Sequence, residues 1–199
     1  MAVVIGITGG IATGKTQVSK IIKELGYQVL SSDEISHQVL NDKRIKAGYH
    51  QIVAIFGEDI LDDNKDIDRK KLGNIVFNDK EKRQQLEKIL HPLIKERILN
   101  KIEQCTDKLL FVEVPLLFET DFIDIVDKTI VVYADLDHQI WRLMARDKVD
   151  FPSALKKIYT QMPMPKKLEL ANYIVDNCHQ IEDLPWQVKQ VVNKILEDI

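Results

Sequence analysis

Residues 9–16 read Gly9-Gly10-Ile11-Ala12-Thr13-Gly14-Lys15-Thr16, the pattern G-x-x-x-x-G-K-[ST]. The pattern has physical meaning only between a strand and a helix, and the flanks supply that setting. Ala2-Val3-Val4-Ile5-Gly6-Ile7 is an apolar run of strand length, and Val18, Ile21, Ile22 and Leu25 recur at helical spacing. Buried strand, glycine turn and helix are therefore expected in that order. Gly9 and Gly14 free the backbone to turn successive N–H groups inward, and the helix start adds positive potential, so the loop makes an anion site. Lys15 is then the point charge for the β- and γ-phosphates of a nucleotide, and the Thr16 hydroxyl a ligand for Mg²⁺.

The chain has 199 residues, enough for one α/β core with insertions. Its net charge of −3 argues against a general nucleic-acid or membrane surface, so neither is expected as a partner. Cys105 and Cys178 are the two cysteines and form no C-x-x-C pair, which fits a reducing compartment without disulfides. Cys178-His179 has no other Cys or His near it in sequence and reads as incidental. The N-terminus lacks a basic leader, and no apolar run approaches the roughly 20 residues that span a bilayer. A cytoplasmic location is expected.

Further along, Gly26 ends the first helix and Tyr27-Gln28-Val29-Leu30 reads as a second buried strand. Asp33 follows that strand closely. A carboxylate there suits acceptance of a hydroxyl proton, and it equally suits a helix N-cap; position alone leaves both readings open. From Asp42 to Lys108 the chain is charge-rich and helical in pattern, several times longer than the dozen or so residues a parallel crossover needs. An inserted helical region is expected there, with Pro92 opening a fresh helix after His91. Leu109-Leu110-Phe111-Val112-Glu113-Val114 is a central strand carrying an acid at its end, the place of an Mg²⁺-binding carboxylate in phosphate-loop enzymes. Thr129–Ala134 and Tyr173–Val175 are further strands, and Leu184, Val188, Val191, Val192 and Ile195 mark a closing helix. Arg142 and Arg146 stand i, i+4, one helix face, suited to phosphate contact or to a solvated basic face. Helices on either side of Gln161-Met162-Pro163-Met164-Pro165 suggest a lid.

Taken together, the motifs resemble the dephospho-CoA kinase family nearly end to end. They are Gly6–Thr16, Ser32-Asp33-Glu34-Ile35, Phe56-Gly57 before Ile67-Asp68-Arg69, His91-Pro92, Val114-Pro115-Leu116-Leu117-Phe118-Glu119, Arg142 with Arg146-Asp147, Gln161 and Asn177. The resemblance implies an α/β, three-layer phosphate-loop NTPase fold with a parallel sheet. Its parts would be a nucleotide core (1–31, 108–135 and 172–199), a helical CoA-substrate region (32–107) and a lid (136–171). It implies ATP as co-substrate with Mg²⁺, transfer to the ribose 3′-hydroxyl of dephospho-CoA, and a monomer or weak homo-oligomer. ATP would be held by Gly10, Ile11, Ala12, Thr13, Gly14, Lys15, Thr16, Gln17, Arg142 and Asn177, and the metal by Thr16 and Glu113. Asp33 would activate the acceptor, with Lys15, Arg142 and Arg146 completing the catalytic set. Arg69, His91, Pro115, Leu116, Leu117 and Glu119 would line the acceptor side.

Some positions depart from the family pattern. Ser31-Ser32-Asp33 replaces Asp-Ala-Asp, Asn172 replaces an Asp, and Asn64-Lys65 stands where a Gly often follows the acid. Ala12 replaces a loop glycine and is expected to have negative φ. Two rivals keep the loop but change the function: another small-molecule or nucleoside monophosphate kinase, and a nucleotide switch. A guanine-reading Asn-Lys-x-Asp fails at Ile67 of Asn64-Lys65-Asp66-Ile67.

Overall fold

The computed structural model describes residues 2–179 and 181–199. The chain divides into two compact units, Met1–Ser31 with Gln104–Ile199, and Ser32–Glu103.

The first unit is built on five parallel strands, β1 (Val3–Gly9), β2 (Gln28–Ser31), β3 (Leu109–Glu113), β4 (Lys128–Tyr133) and β5 (Tyr173–Asp176), in the spatial order β2-β3-β1-β4-β5. Near-continuous apolar runs mark strands buried on both faces, which is why β1, β3 and β4 sit in the middle. Ile7 lies opposite Glu113, Ser31 opposite Glu113, and Gly9 opposite Val132, so the carboxyl ends of these strands share one edge. Ligands of open α/β sheets bind beyond that edge.

On one face, Ile5, Ile7, Phe111 and Val132 pack against Val18, Ile21 and Ile22 of α1 (Lys15–Glu24) and against Leu184, Val188, Val192 and Ile195 of α9 (Leu184–Glu197). Each such side chain contributes about 1.5–3 kcal/mol by leaving water. Val191 joins this core only in part, and Leu25 lies 37% exposed beyond the last turn of α1. On the other face, Gly6 makes room for Leu117: a Cβ there would meet the Leu117 methyl at 2.6 Å. The unit also carries α6 (Leu136–Asp147), α7 (Phe151–Ile158) and α8 (Met164–Glu169). Ile140, Leu143 and Ala154 of α6 and α7 form a smaller core against which Ile11 and Ala12 of the loop pack.

The second unit is helical, with α2 (Ser32–Asn41), α3 (Gln51–Phe56), α4 (Arg69–Asn78) and α5 (Lys80–Glu103). Asp68 caps α4, accepting from the Lys70 and Lys71 amides at 2.8 and 3.3 Å. The expected break at His91-Pro92 does not occur: α5 runs continuously with Pro92 inside it. Proline removes one helical hydrogen bond, but Ile89, Leu90, Ile94 and Ile98 on both sides of it are buried. Burial of those flanks outweighs the local loss.

Ala12 also departs from expectation, with φ of +61°. A Cβ in that region costs about 1–2 kcal/mol, and here the methyl is retained against the α6–α7 cluster. Ala12→Gly should raise the unfolding free energy by about 0.5–1 kcal/mol, whereas Ala12→Val, β-branched at positive φ, should lower it. Urea midpoints of the two variants against the parent check both signs.

Candidate active site

The loop between β1 and α1 is shaped by contacts from distant parts of the chain. Gly14, at the N-cap of α1, has φ of +97°, and a Cβ on it would run into the Asn177 side-chain amide. Asn177, at the end of β5, donates through Nδ2 to the Thr13 carbonyl at 2.8 Å and through its own amide to the Tyr133 carbonyl at 2.9 Å. Thr13 is fully buried, and its hydroxyl donates to the Gly10 carbonyl at 2.9 Å. The Ile11 amide donates to Gln161 Oε1 at 2.8 Å. Strand end, loop and the α7–α8 connection are thereby tied together.

Within this frame, Lys15 Nζ donates to the Gly10 carbonyl at 2.7 Å and to the Gly9 carbonyl at 3.3 Å. These are contacts with the lysine's own loop, which a bound phosphate can replace. Thr16 Oγ1 donates to Glu113 Oε1 at 3.2 Å, joining two positions 97 residues apart. Glu113 is only 9% exposed, as the register of β3 beside β1 and β2 requires. The pair offers two hard oxygens at the sheet edge, a donor set that suits Mg²⁺.

Arg142 and Arg146 part company. Arg142 donates through Nη2 to the Asn177 carbonyl at 2.8 Å, while its Nη1 is buried without a hydrogen-bond partner. A buried donor left unmade costs about 1–3 kcal/mol, which an acceptor placed at that nitrogen would recover. Arg146 Nε pairs with Asp147 at 2.8 Å and its side chain is 59% exposed, the solvated arrangement. Asp147 also accepts Lys157 Nζ at 2.8 Å, linking α6 to α7.

A profile of the dephospho-CoA kinase family matches residues 3–183. The chain belongs to the dephospho-CoA kinase family. The dephospho-CoA kinase of Oceanobacillus iheyensis is 39% identical over 197 residues, 98% of each chain. The solved dephospho-CoA kinase from Campylobacter jejuni is 32% identical with a TM-score of 0.75, covering 100% of this chain and 99% of that one. Shikimate kinase from Acinetobacter baumannii, in complex with shikimate, shares the fold at 17% identity, with a TM-score of 0.54 and coverage of 100% and 95%.

The positions that the dephospho-CoA kinase resemblance singles out for the acceptor fall in different settings. Asp33 is exposed in the first turn of α2, one residue inside the helix, so it is not the N-cap. Arg69 is exposed at the first position of α4, and His91 is half-buried in α5. Pro115 and Leu116 follow β3 with Leu116 37% exposed, but Leu117 is fully buried against Gly6 and is not available to a ligand. Its part in the motif is packing. Glu119 accepts the Met162 amide at 3.0 Å and Lys167 Nζ at 2.8 Å. Gln17 is exposed on α1.

Sequence reasoning gave no role to Asn172, which accepts the Thr129 amide at 2.8 Å and pins β5 beside β4. It also missed Lys167, since a lysine in a Pro-Lys-Lys run carries no sign of burial. Cys178 gains neighbours that sequence distance hid: its sulfur accepts the Asp135 amide at 3.3 Å, and His138 Nδ1 lies 2.8 Å from Asp135 Oδ1. Burial pushes the Cys178 thiol up to about 11. A cavity of about 410 Å³ is lined by Gly10, Tyr133, Asp135, Gln139, Gln161 and Met164 among others.

Hydrogen bonds from Arg146 and Lys157 hold the Asp147 carboxyl at about 2, below its ordinary 3.8. A lowered folded-state value means stability that is complete above about pH 4 and lost as pH falls through about 2. Asp147→Asn should therefore lower the unfolding temperature at pH 6, with the gap to the parent closing toward pH 2. Thermal unfolding across that range measures it.

Proposed function

We propose that this chain transfers the γ-phosphoryl group of ATP to the ribose 3′-hydroxyl of dephospho-CoA, giving coenzyme A and ADP, the last step of coenzyme A biosynthesis. The observation that carries the reading is the joining of Lys15, Thr16 and Glu113 in one phosphate-loop site within a chain of this family. No helix among the described residues is long and apolar enough to cross a membrane, and we place the reaction in the cytoplasm.

Phosphoryl transfer asks the protein for positioning and charge stabilisation rather than covalent chemistry. The amides of residues 10–16 and Lys15 bind the β- and γ-phosphates, with Lys15 exchanging the Gly9 and Gly10 carbonyls for phosphate oxygens. Thr16 and Glu113 would hold Mg²⁺, which would supply charge neutralisation at the nucleotide phosphates. Arg142 brings its unpartnered guanidinium nitrogen to the nucleotide phosphates, and Asn177 keeps both the loop and Arg142 in place. Arg146 joins only if α6–α8 closes as a lid and Asp147 releases it.

In the helical unit, Asp33 accepts the proton of the attacking hydroxyl. Its exposure and its freedom from capping duty support that role over the structural one. Arg69 and His91 serve the acceptor from the helical unit; Pro115 and Leu116 do so from the nucleotide unit, where Leu117 is packed in the core.

The test is mass spectrometry of dephospho-CoA after incubation with the protein, ATP and Mg²⁺, beside adenosine, AMP and shikimate. One added phosphate on dephospho-CoA is expected; phosphate on another acceptor instead would keep the kinase and remove this substrate. Asp33→Asn should lower kcat by about 100-fold or more while ATP affinity changes less than about threefold. Equal turnover by that variant would remove Asp33 as the base.

A further inference from the structure

Among the described residues, Lys167 is the one lysine that is fully buried. It lies in α8, after the proline-broken connection from α7. A buried ammonium persists only when paired and hydrogen-bonded. Its partner is Glu119 Oε1 at 2.8 Å, and the Glu119 side chain is itself only 20% exposed. Its second contact is the Gly9 carbonyl at 3.5 Å, the first carbonyl of the phosphate loop.

Four contacts from this short segment reach outward. Lys167 meets Gly9 and Glu119, the Met162 amide donates to the same Glu119 oxygen at 3.0 Å, and Gln161 Oε1 accepts the Ile11 amide at 2.8 Å. The Gly9 carbonyl also receives Lys15 Nζ at 3.3 Å, so two ammonium groups converge on one oxygen.

We infer that Lys167 and Glu119 form a positioning pair that fastens the α7–α8 segment to the phosphate loop. In this role Lys167 keeps the Gly9 carbonyl when Lys15 leaves it for the nucleotide. Glu119 cancels the charge of Lys167, so that the pair adds no net charge beside the phosphates. The inference rests on reading residues 9–16 as the ATP phosphate site. It moves Glu119 from the acceptor side to the nucleotide side.

The experiment measures ATP dissociation constants and amide hydrogen exchange on the full chain without acceptor, then the two KM values. Lys167→Met should weaken ATP about tenfold and speed exchange at Ile11 and Met162, with the KM for dephospho-CoA within about twofold of the parent. Lys167→Arg, which keeps the charge, should recover part of the ATP affinity and carries the test if the methionine variant does not fold. Glu119→Gln strands a fully buried ammonium, whereas Lys167→Met leaves a carboxylate with some access to water. Glu119→Gln should therefore be the less stable single variant, and adding Lys167→Met to it should restore stability.

Unchanged ATP affinity and exchange in Lys167→Met would overturn the inference. So would a change confined to the KM for dephospho-CoA, which would return the pair to the acceptor side. These readouts need no phosphoryl transfer. A parent chain that binds ATP without phosphorylating dephospho-CoA would overturn the proposed reaction and leave the pair standing. A parent chain that does not bind ATP would overturn both.

Discussion

A loop that presents its amides to an anion must keep its shape when the anion is absent, and here that demand is met by other parts of the chain. The Thr13 carbonyl is held by Asn177, the Ile11 amide by Gln161, and the Gly9 carbonyl by Lys15 and Lys167. Gly14 must be left-handed and must lack a side chain because Asn177 occupies the space. Backbone groups that are satisfied in this way need little rearrangement when the ligand arrives, which is the physical content of preorganisation.

The parallel sheet makes those contacts possible. With β1 central, its carboxyl end is flanked by β3 and β4, so Glu113 and Val132 fall beside the loop by register. Thr16 then meets Glu113 across the neighbouring strand, and Asn177 reaches Thr13 from beyond β4. The same core holds α1 at its apolar face, so the orientation of Lys15 and Thr16 rests on Val18, Ile21 and Ile22 being buried. Folding energy and site geometry share residues here.

Much of this was legible in the chain. β1, the loop and α1 follow from an apolar run, glycines and a 3.6 period, and β3 with its terminal acid follows from the same logic. The alignment of motifs with one kinase family is supported by the matching profile and relatives. What failed did so for identifiable reasons. Pro92 signals a break locally, yet the buried flanks of α5 carry the helix through it. Ala12 lacks a glycine's freedom, yet loop closure and packing on α6–α7 hold it at positive φ. Leu117 belongs to a functional-looking motif but fills the gap above Gly6.

The sequence by itself determined the strand–loop–helix and the family, because each depends on residues adjacent in the chain or on a motif order. Tertiary structure alone decided which of two matched arginines has a buried nitrogen to offer, and that Lys167 is a buried cation rather than a surface one. Those outcomes depend on desolvation and on partners far away in the chain, such as Asn177 for Arg142 and Glu119 for Lys167. Periodicity records which face of a helix is apolar; it carries no record of which distant carboxylate or carbonyl will meet a charge once water is gone.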